Sequence, residues 1–173
     1  MNPKARLLIA VCLLAIASAC NEVQNEPQAQ TASQSLCISN FEACVNPIFD
    51  ATLNGGVGQI TCSASGCHDQ AAGSGGAFKI FANAQPGSSE MMANFFAAKS
   101  FSNLDDPAQS KLLLEPLQGV FSITGTHTGG DIFPDTADQC YQAIFDWIST
   151  RVDDLNSSNC GVCTAAVLAS CGY

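Results

Sequence analysis

Apolar residues recur at helical spacing most clearly toward the end of the chain, at Cys140, Tyr141, Ile144, Phe145, Ile148 and Val152. The pattern predicts a helix over 136–152, capped by Asp135. Shorter helices are expected before it. Asn46 followed by Pro47 reads as an N-cap and first helical position opening PIFDATL, with Ile48, Phe49 and Leu53 as its buried stripe and Asn54-Gly55-Gly56 as its stop. A helical turn from Asn40 to Val45 leads into it. Ser88 or Ser89 caps a helix through EMMANFFAAKS, and Pro107 starts one through AQSKLLLE that stops near Pro116. Residues 54–76 are rich in Gly, Ser and Ala without any period, so they read as loop wrapped around something. No segment alternates with a period of two, and none repeats. The expectation is a small all-α domain with long loops, and loops of that length are uncommon unless they are functional.

The pattern changes character at the N-terminal end. Residues 1–19, MNPKARLLIAVCLLAIASA, combine the basic residues Lys4 and Arg6 with an apolar run and a small-residue boundary, which is the layout of a signal peptide. Residues 20–35 are polar with almost nothing to bury and read as a flexible tether. The domain is expected over 36–173.

Charge and cysteine content sharpen this picture. Without Lys4 and Arg6, four cations (Lys79, Lys99, Lys111, Arg151) face 15 acidic residues, so the formal charge is 4 − 15 = −11. Such a surface disfavours nucleic acid and favours basic protein partners. Ten cysteines in an exported chain of 173 residues indicate an oxidising compartment. Removing Cys12 with the leader leaves 10 − 1 = 9, an odd number that needs a reason. Cys20 supplies one as the first mature residue: Ile16-Ala17-Ser18-Ala19-Cys20 resembles a bacterial lipobox, apart from Ala17 where leucine is usual. That resemblance implies a lipid anchor at Cys20, and Asn21 after it implies the outer membrane. An ordinary cut at the same bond would instead leave a free thiol.

The candidate chemistry centres on Cys62-Ser-Ala-Ser-Gly-Cys67-His68. Covalent attachment of a c-type haem requires two sulfurs beside the two vinyl groups and an imidazole from the same segment that reaches the iron. His68 directly after Cys67 meets that requirement, with four residues between the cysteines where two are common. The same residues also read as a disulfide pair that precedes a histidine.

The markers PIFDATLN, CSASGCHD, GGAFKI, DDPAQSKLLLEPL, HTGG and YQAIFDWI follow one another along residues 46–149. In this order they resemble the single-haem cytochrome c domains of bacterial envelope proteins. The resemblance implies a small all-helical cytochrome c-like domain with its haem core at 46–152, one haem c on Cys62 and Cys67, and His68 as the proximal iron ligand. It also implies that the segment Pro47–Leu53 packs near Thr136–Val152.

His127 is the chain's other histidine, set among Gly125, Gly129 and Gly130 and 127 − 68 = 59 residues after His68. It is the expected distal ligand; Met91 and Met92 are alternatives, as is an open iron. Phe78, Phe81, Phe121, Phe133 and Trp147 are candidates for the crevice wall or for ordinary core. Cys160-Gly-Val-Cys163 lacks a following histidine, further zinc ligands and a βαβ context, so Cys37, Cys44, Cys140, Cys160, Cys163 and Cys171 are expected to form three structural disulfides in the N- and C-terminal extensions.

Two kinds of protein remain in play: an electron-transfer cytochrome of the cell envelope, at the periplasmic or outer cell surface, and a haem-free, disulfide-rich lipoprotein that binds a partner. A haem enzyme or sensor with open iron is the third. Anchoring is separable from all of these. Cys20→Ser should convert a membrane-fractionating protein carrying an acyl mass into a soluble one, read by fractionation and intact mass; a wild type that is already soluble and unacylated would remove the anchor.

Overall fold

A computed structural model describes residues 35–55, 58–71, 77–120, 127, 129–158, 160 and 171. The leader, the tether as far as residue 34 (Cys20 included), Phe121, Gly125 and Cys163 lie outside the described residues, while Ser35, expected as the tether's last residue, is already part of a strand. The first element, β1 (Ser35–Leu36), pairs antiparallel with the last, β4 (Arg151–Val152), so that Ser35 opposes Val152 and Leu36 opposes Arg151. Between them come α1 (Ile38–Asn40), a π-helical segment (Phe41–Val45), α2 (Asn46–Asp50), the antiparallel hairpin β2 (Leu53–Gly55) and β3 (Gly58–Ile60), α3 (Ser89–Ser100), a 3₁₀ turn (Pro107–Gln109), α4 (Lys111–Leu114) and α5 (Gln139–Ser149).

The all-α expectation is therefore corrected: the domain is mixed α/β, with short helices and two small antiparallel sheets. The physical reason is that these strands are two or three residues long. Such strands carry no alternation to read, and their pairing is set by tertiary contacts.

Helix boundaries moved for local reasons. Asn46 does not cap a helix, because residues 38–50 form one continuous helical run that passes straight through it. Pro47 has no N–H and its ring crowds the preceding turn, and the run widens just before it, with the Asn46 N–H bonded to the Phe41 carbonyl. The run ends at Asp50, and Leu53 turns into β2 instead of completing a stripe. Ser88 does cap α3, its hydroxyl accepting from the Met91 N–H at 3.1 Å. The Pro107 helix breaks at Ser110, whose backbone is extended, and resumes as α4. The last helix is shorter than expected and is capped by Asp138, whose carboxylate accepts from the N–H groups of Cys140 and Tyr141 at 2.9 and 3.0 Å. Asp135 instead closes a turn onto the Ala137 N–H, and Val152 leaves the helix for β4.

Three fully buried rings gather the helical elements into one core. Phe41 stands 5.1 Å from Trp147 and 5.5 Å from Phe95, and Phe95 stands 5.9 Å from Trp147. The π-helical segment, α3 and α5 thus meet at a single point, where each pair adds roughly 0.5–1.5 kcal/mol beyond its area burial. The indole N–H of Trp147 donates to the Cys37 carbonyl at 3.0 Å, so this tryptophan belongs to the core and not to a cofactor wall. Helix α5 packs on Phe41–Val45, just before the Pro47–Leu53 segment expected there.

The extensions are stapled as expected. Cys37 bridges Cys160, Cys140 bridges Cys171, and Cys44 is disulfide-bonded to a partner outside the described residues. The Cys37–Cys160 bond spans 123 residues; closing a loop that long removes unfolded-state entropy equivalent to about 5 kcal/mol in the chain-entropy treatment.

The two candidate caps can be told apart. Asp138→Ala should lower unfolding stability by about 1 kcal/mol in denaturant titrations, whereas Asp135→Ala should change it by much less.

Candidate functional site

The loop from Thr61 to His68 closes on itself. The His68 N–H donates to the Cys62 carbonyl at 2.9 Å, and turns within the loop join Ala64 to Thr61 and Cys67 to Ala64. Ser63, at the loop's inner edge, is buried; its N–H donates to the Phe49 carbonyl at 2.9 Å and its hydroxyl to Asp50 Oδ1 at 2.7 Å. The end of α2 therefore holds the motif by main chain and side chain together. A four-residue spacer between the cysteines is accommodated because its second half turns back at the surface, with Ser65 and Gly66 exposed.

His68 is gripped by a second segment. Its carbonyl accepts from the Ile80 N–H at 2.6 Å, and its Nδ1 lies 3.0 Å from the Phe78 carbonyl. A carbonyl only accepts, so that bond keeps the proton on Nδ1 and leaves Nε2 as the free nitrogen. The ring packs edge-on against Phe78 at 4.9 Å. Burial, and secondarily the neighbouring His127, lowers the pKa of His68 below its ordinary value, opposed by the bond to Phe78. The imidazole is therefore neutral at pH 7, the form in which it can be a ligand.

His127 is built the same way from a different part of the chain. Its Nδ1 lies 3.0 Å from the Gly130 carbonyl, while its own carbonyl accepts from the Gly130 N–H at 2.8 Å. Gly130 adopts φ +81°, a conformation that glycine takes without a Cβ clash. At Gly129 a Cβ would stand 3.0 Å from Ile60 Cδ1 and 3.2 Å from His127 Cε1, so the absence of a side chain there is what lets the histidine turn seat against β3. The loop expected over 54–76 thus contains a hairpin with a specific task. Its Ile60 abuts the turn that carries His127.

The structure brings the two imidazoles close together. Their ring centres are 5.9 Å apart and their planes differ by 19°. Two imidazoles bound in line on opposite sides of one metal, at metal–nitrogen distances of about 2 Å, have ring centres roughly 6 Å apart. Each ring has its Nδ1 committed to a backbone carbonyl, the usual arrangement behind a metal-ligating histidine. Met91 is buried in the core and Met92 packs partly against it, which is ordinary for methionine; the ring facing His68 is that of His127.

Cys62 and Cys67 are free thiols, although Cys37, Cys44, Cys140, Cys160 and Cys171 are all bridged. Burial pushes the Cys62 thiol up to about 12, helped by Cys67 and Asp50. Among the described residues no three His, Cys, Asp or Glu side chains converge as a metal cage, and Cys160, being bridged to Cys37, is not half of a redox or zinc Cys-x-x-Cys pair. Cys62, Cys67, His68 and His127 are the residues that would hold a haem c, two by sulfur and two by imidazole nitrogen.

Of the proposed crevice aromatics, Phe78 packs against His68, whereas Phe133 packs on Tyr141 in the core. Asp50 and Glu42 were missed by sequence reasoning, and Asn46, expected as a cap, has a different task; the three recur every fourth residue along the helical run. Asp50 Oδ2 accepts from the Asn83 N–H at 3.0 Å, Asn46 Oδ1 from Asn94 Nδ2 at 2.8 Å, and Glu42 Oε1 from the Gly87 N–H at 2.8 Å. Their spacing was legible, but their partners were not. No protein family, curated protein or solved structure matches the chain.

The raised pKa of Cys62 makes a direct prediction for haem-free protein. At pH 8 about one part in ten thousand of that thiol is ionised, so a thiolate-selective alkylating agent should leave it unmodified for hours and label it readily after unfolding. Peptide mass mapping reads the difference, and rapid labelling of Cys62 in the folded protein would contradict the partly buried, neutral thiol.

Proposed function

We propose that this chain is a monohaem c-type cytochrome that carries single electrons at the cell envelope, with haem c joined to Cys62 and Cys67 and ligated by His68 and His127. The observation that carries the reading is the pair of imidazoles with ring centres 5.9 Å apart, each with Nδ1 tied to a backbone carbonyl. The two unbridged thiols support it, since a haem-free lipoprotein in an oxidising compartment would be expected to bridge them. The helical cytochrome fold is no part of the proposal. The reading needs the donor set and its spacing, and an all-helical scaffold is not a condition for either.

When bound, haem supplies a one-electron couple at iron. The protein's residues do the rest. Cys62 and Cys67 would hold the group covalently, each thiol adding across a vinyl with sulfur on one carbon and the proton on its neighbour, without net oxidation or reduction. The bonds from Nδ1 to Phe78 and Gly130 keep both ligands in one tautomer and one orientation and raise their donor strength. Phe78 shields the His68 ring from water. Two imidazoles favour a lower potential than histidine with methionine. The acidic surface suits basic redox partner proteins and repels nucleic acid, and acylation of Cys20 would hold the protein at the outer membrane.

The test is protein produced with a cytochrome c maturation system. The wild type should be red, exceed its polypeptide mass by one haem, and keep that haem through acid–acetone extraction. His127→Ala should retain the haem but become high-spin or water-ligated and bind carbon monoxide when reduced. A colourless protein with a Cys62–Cys67 disulfide would overturn the proposal, and a wild-type low-spin spectrum in His127→Ala would remove His127 from the iron.

A further inference from the structure

Asn94 sits in the middle of α3 with 0 % of its surface exposed, yet it is polar. Its Oδ1 accepts from the Phe81 N–H at 2.8 Å, and its Nδ2 donates to the Phe81 carbonyl at 2.9 Å and to Asn46 Oδ1 at 2.8 Å. One rigid planar amide thus holds both main-chain groups of Phe81, as a neighbouring β-strand would. An apolar residue of the same size would fill the space and leave those groups without partners.

What Phe81 is attached to gives this clamp a purpose. The adjacent Ile80 donates its N–H to the His68 carbonyl, and Phe78, three residues earlier, supplies the carbonyl that holds His68 Nδ1. Segment 78–81 therefore grips His68 by main chain and by ring, while Asn94 grips the segment at Phe81. Asn46 ties the amide in turn to α2, whose next turn carries the Asp50 that holds Ser63.

We propose that Asn94 is a positioning residue for the His68 imidazole: by fixing Phe81 it sets the Phe78 carbonyl, and through it the orientation and donor strength of the ligand. The inference rests on the cytochrome reading. A strong bond from Nδ1–H to a carbonyl makes the imidazole a better donor to oxidised iron. Loosening segment 78–81 lengthens that bond, so the reduced form gains and the potential rises.

The test compares haem-loaded wild type with Asn94→Leu, Asn94→Asp and Asn46→Ala, by midpoint potential, electron paramagnetic resonance of the oxidised protein, and amide hydrogen exchange. Both Asn94 variants should speed exchange at Ile80 and Phe81 at least tenfold. They should also shift the low-spin g-values and favour the reduced form roughly threefold, which for a one-electron couple is about 28 mV upward. Should Asn94→Leu fail to fold, Asn94→Asp carries the comparison, because it keeps the size and the acceptor for the Phe81 N–H. Asn46→Ala removes the outer bond and leaves both bonds to Phe81, so it should keep the wild-type potential and g-values. Faster exchange with an unchanged potential and unchanged g-values would overturn the inference and leave Asn94 a purely structural residue. A colourless wild type would overturn the cytochrome reading itself, and the inference with it.

Discussion

The contact among Phe41, Phe95 and Trp147 is the constraint on which the rest of this structure depends. Among the described residues the longest helical stretches are the run over 38–50 and the twelve residues of α3, and helices this short are marginal by themselves. They persist because their apolar faces meet, and these three rings are where the π-helical segment, α3 and α5 converge. The rings also set the approach of α3 to α2. That approach brings Asn94 to Asn46 and, beyond it, Phe81 within reach of the Asn94 amide.

From that core outward, the candidate site is organised almost entirely by backbone hydrogen bonds. His68 is held through its N–H, its carbonyl and its Nδ1, and His127 through its carbonyl and its Nδ1. Such an arrangement lets short loops orient two imidazoles without a long helix behind either one. It also explains the composition of the segment around His127. A turn in which one residue supplies both the N–H and the carbonyl that hold the histidine needs the positive φ of Gly130, and the approach of Ile60 needs the bare Cα of Gly129.

The stapled extensions complement a core of modest size. Two strands of two residues each contribute little, so the pairing of β1 with β4 is secured by the Cys37–Cys160 bond beside it and by the indole of Trp147 on the Cys37 carbonyl. The division of labour among the cysteines follows from position. Those near the chain ends close long loops and limit the unfolded state, whereas Cys62 and Cys67 lie in a tight loop already closed by the bond from His68 to Cys62 and remain thiols.

By itself, the sequence determined the candidate residues: the order Cys62, Cys67, His68, a single further histidine at 127, and six further cysteines in the domain and its extensions. These are matters of residue type and local spacing, which survive whatever the fold does. It also located α3, through the serine that caps it, and the body of α5, through its helical period. Tertiary structure decided the rest. Two- and three-residue strands have no period, so the mixed architecture was invisible. The continuation of the helix through Asn46 depended on buried partners that local capping rules do not see. The pairing of Cys37 with Cys160 and Cys140 with Cys171 was one set among many that the spacing allowed. Above all, the 5.9 Å between His68 and His127 is a distance between residues far apart in the chain. Only the packing of the β2–β3 hairpin against one histidine turn and of segment 78–81 against the other could set it.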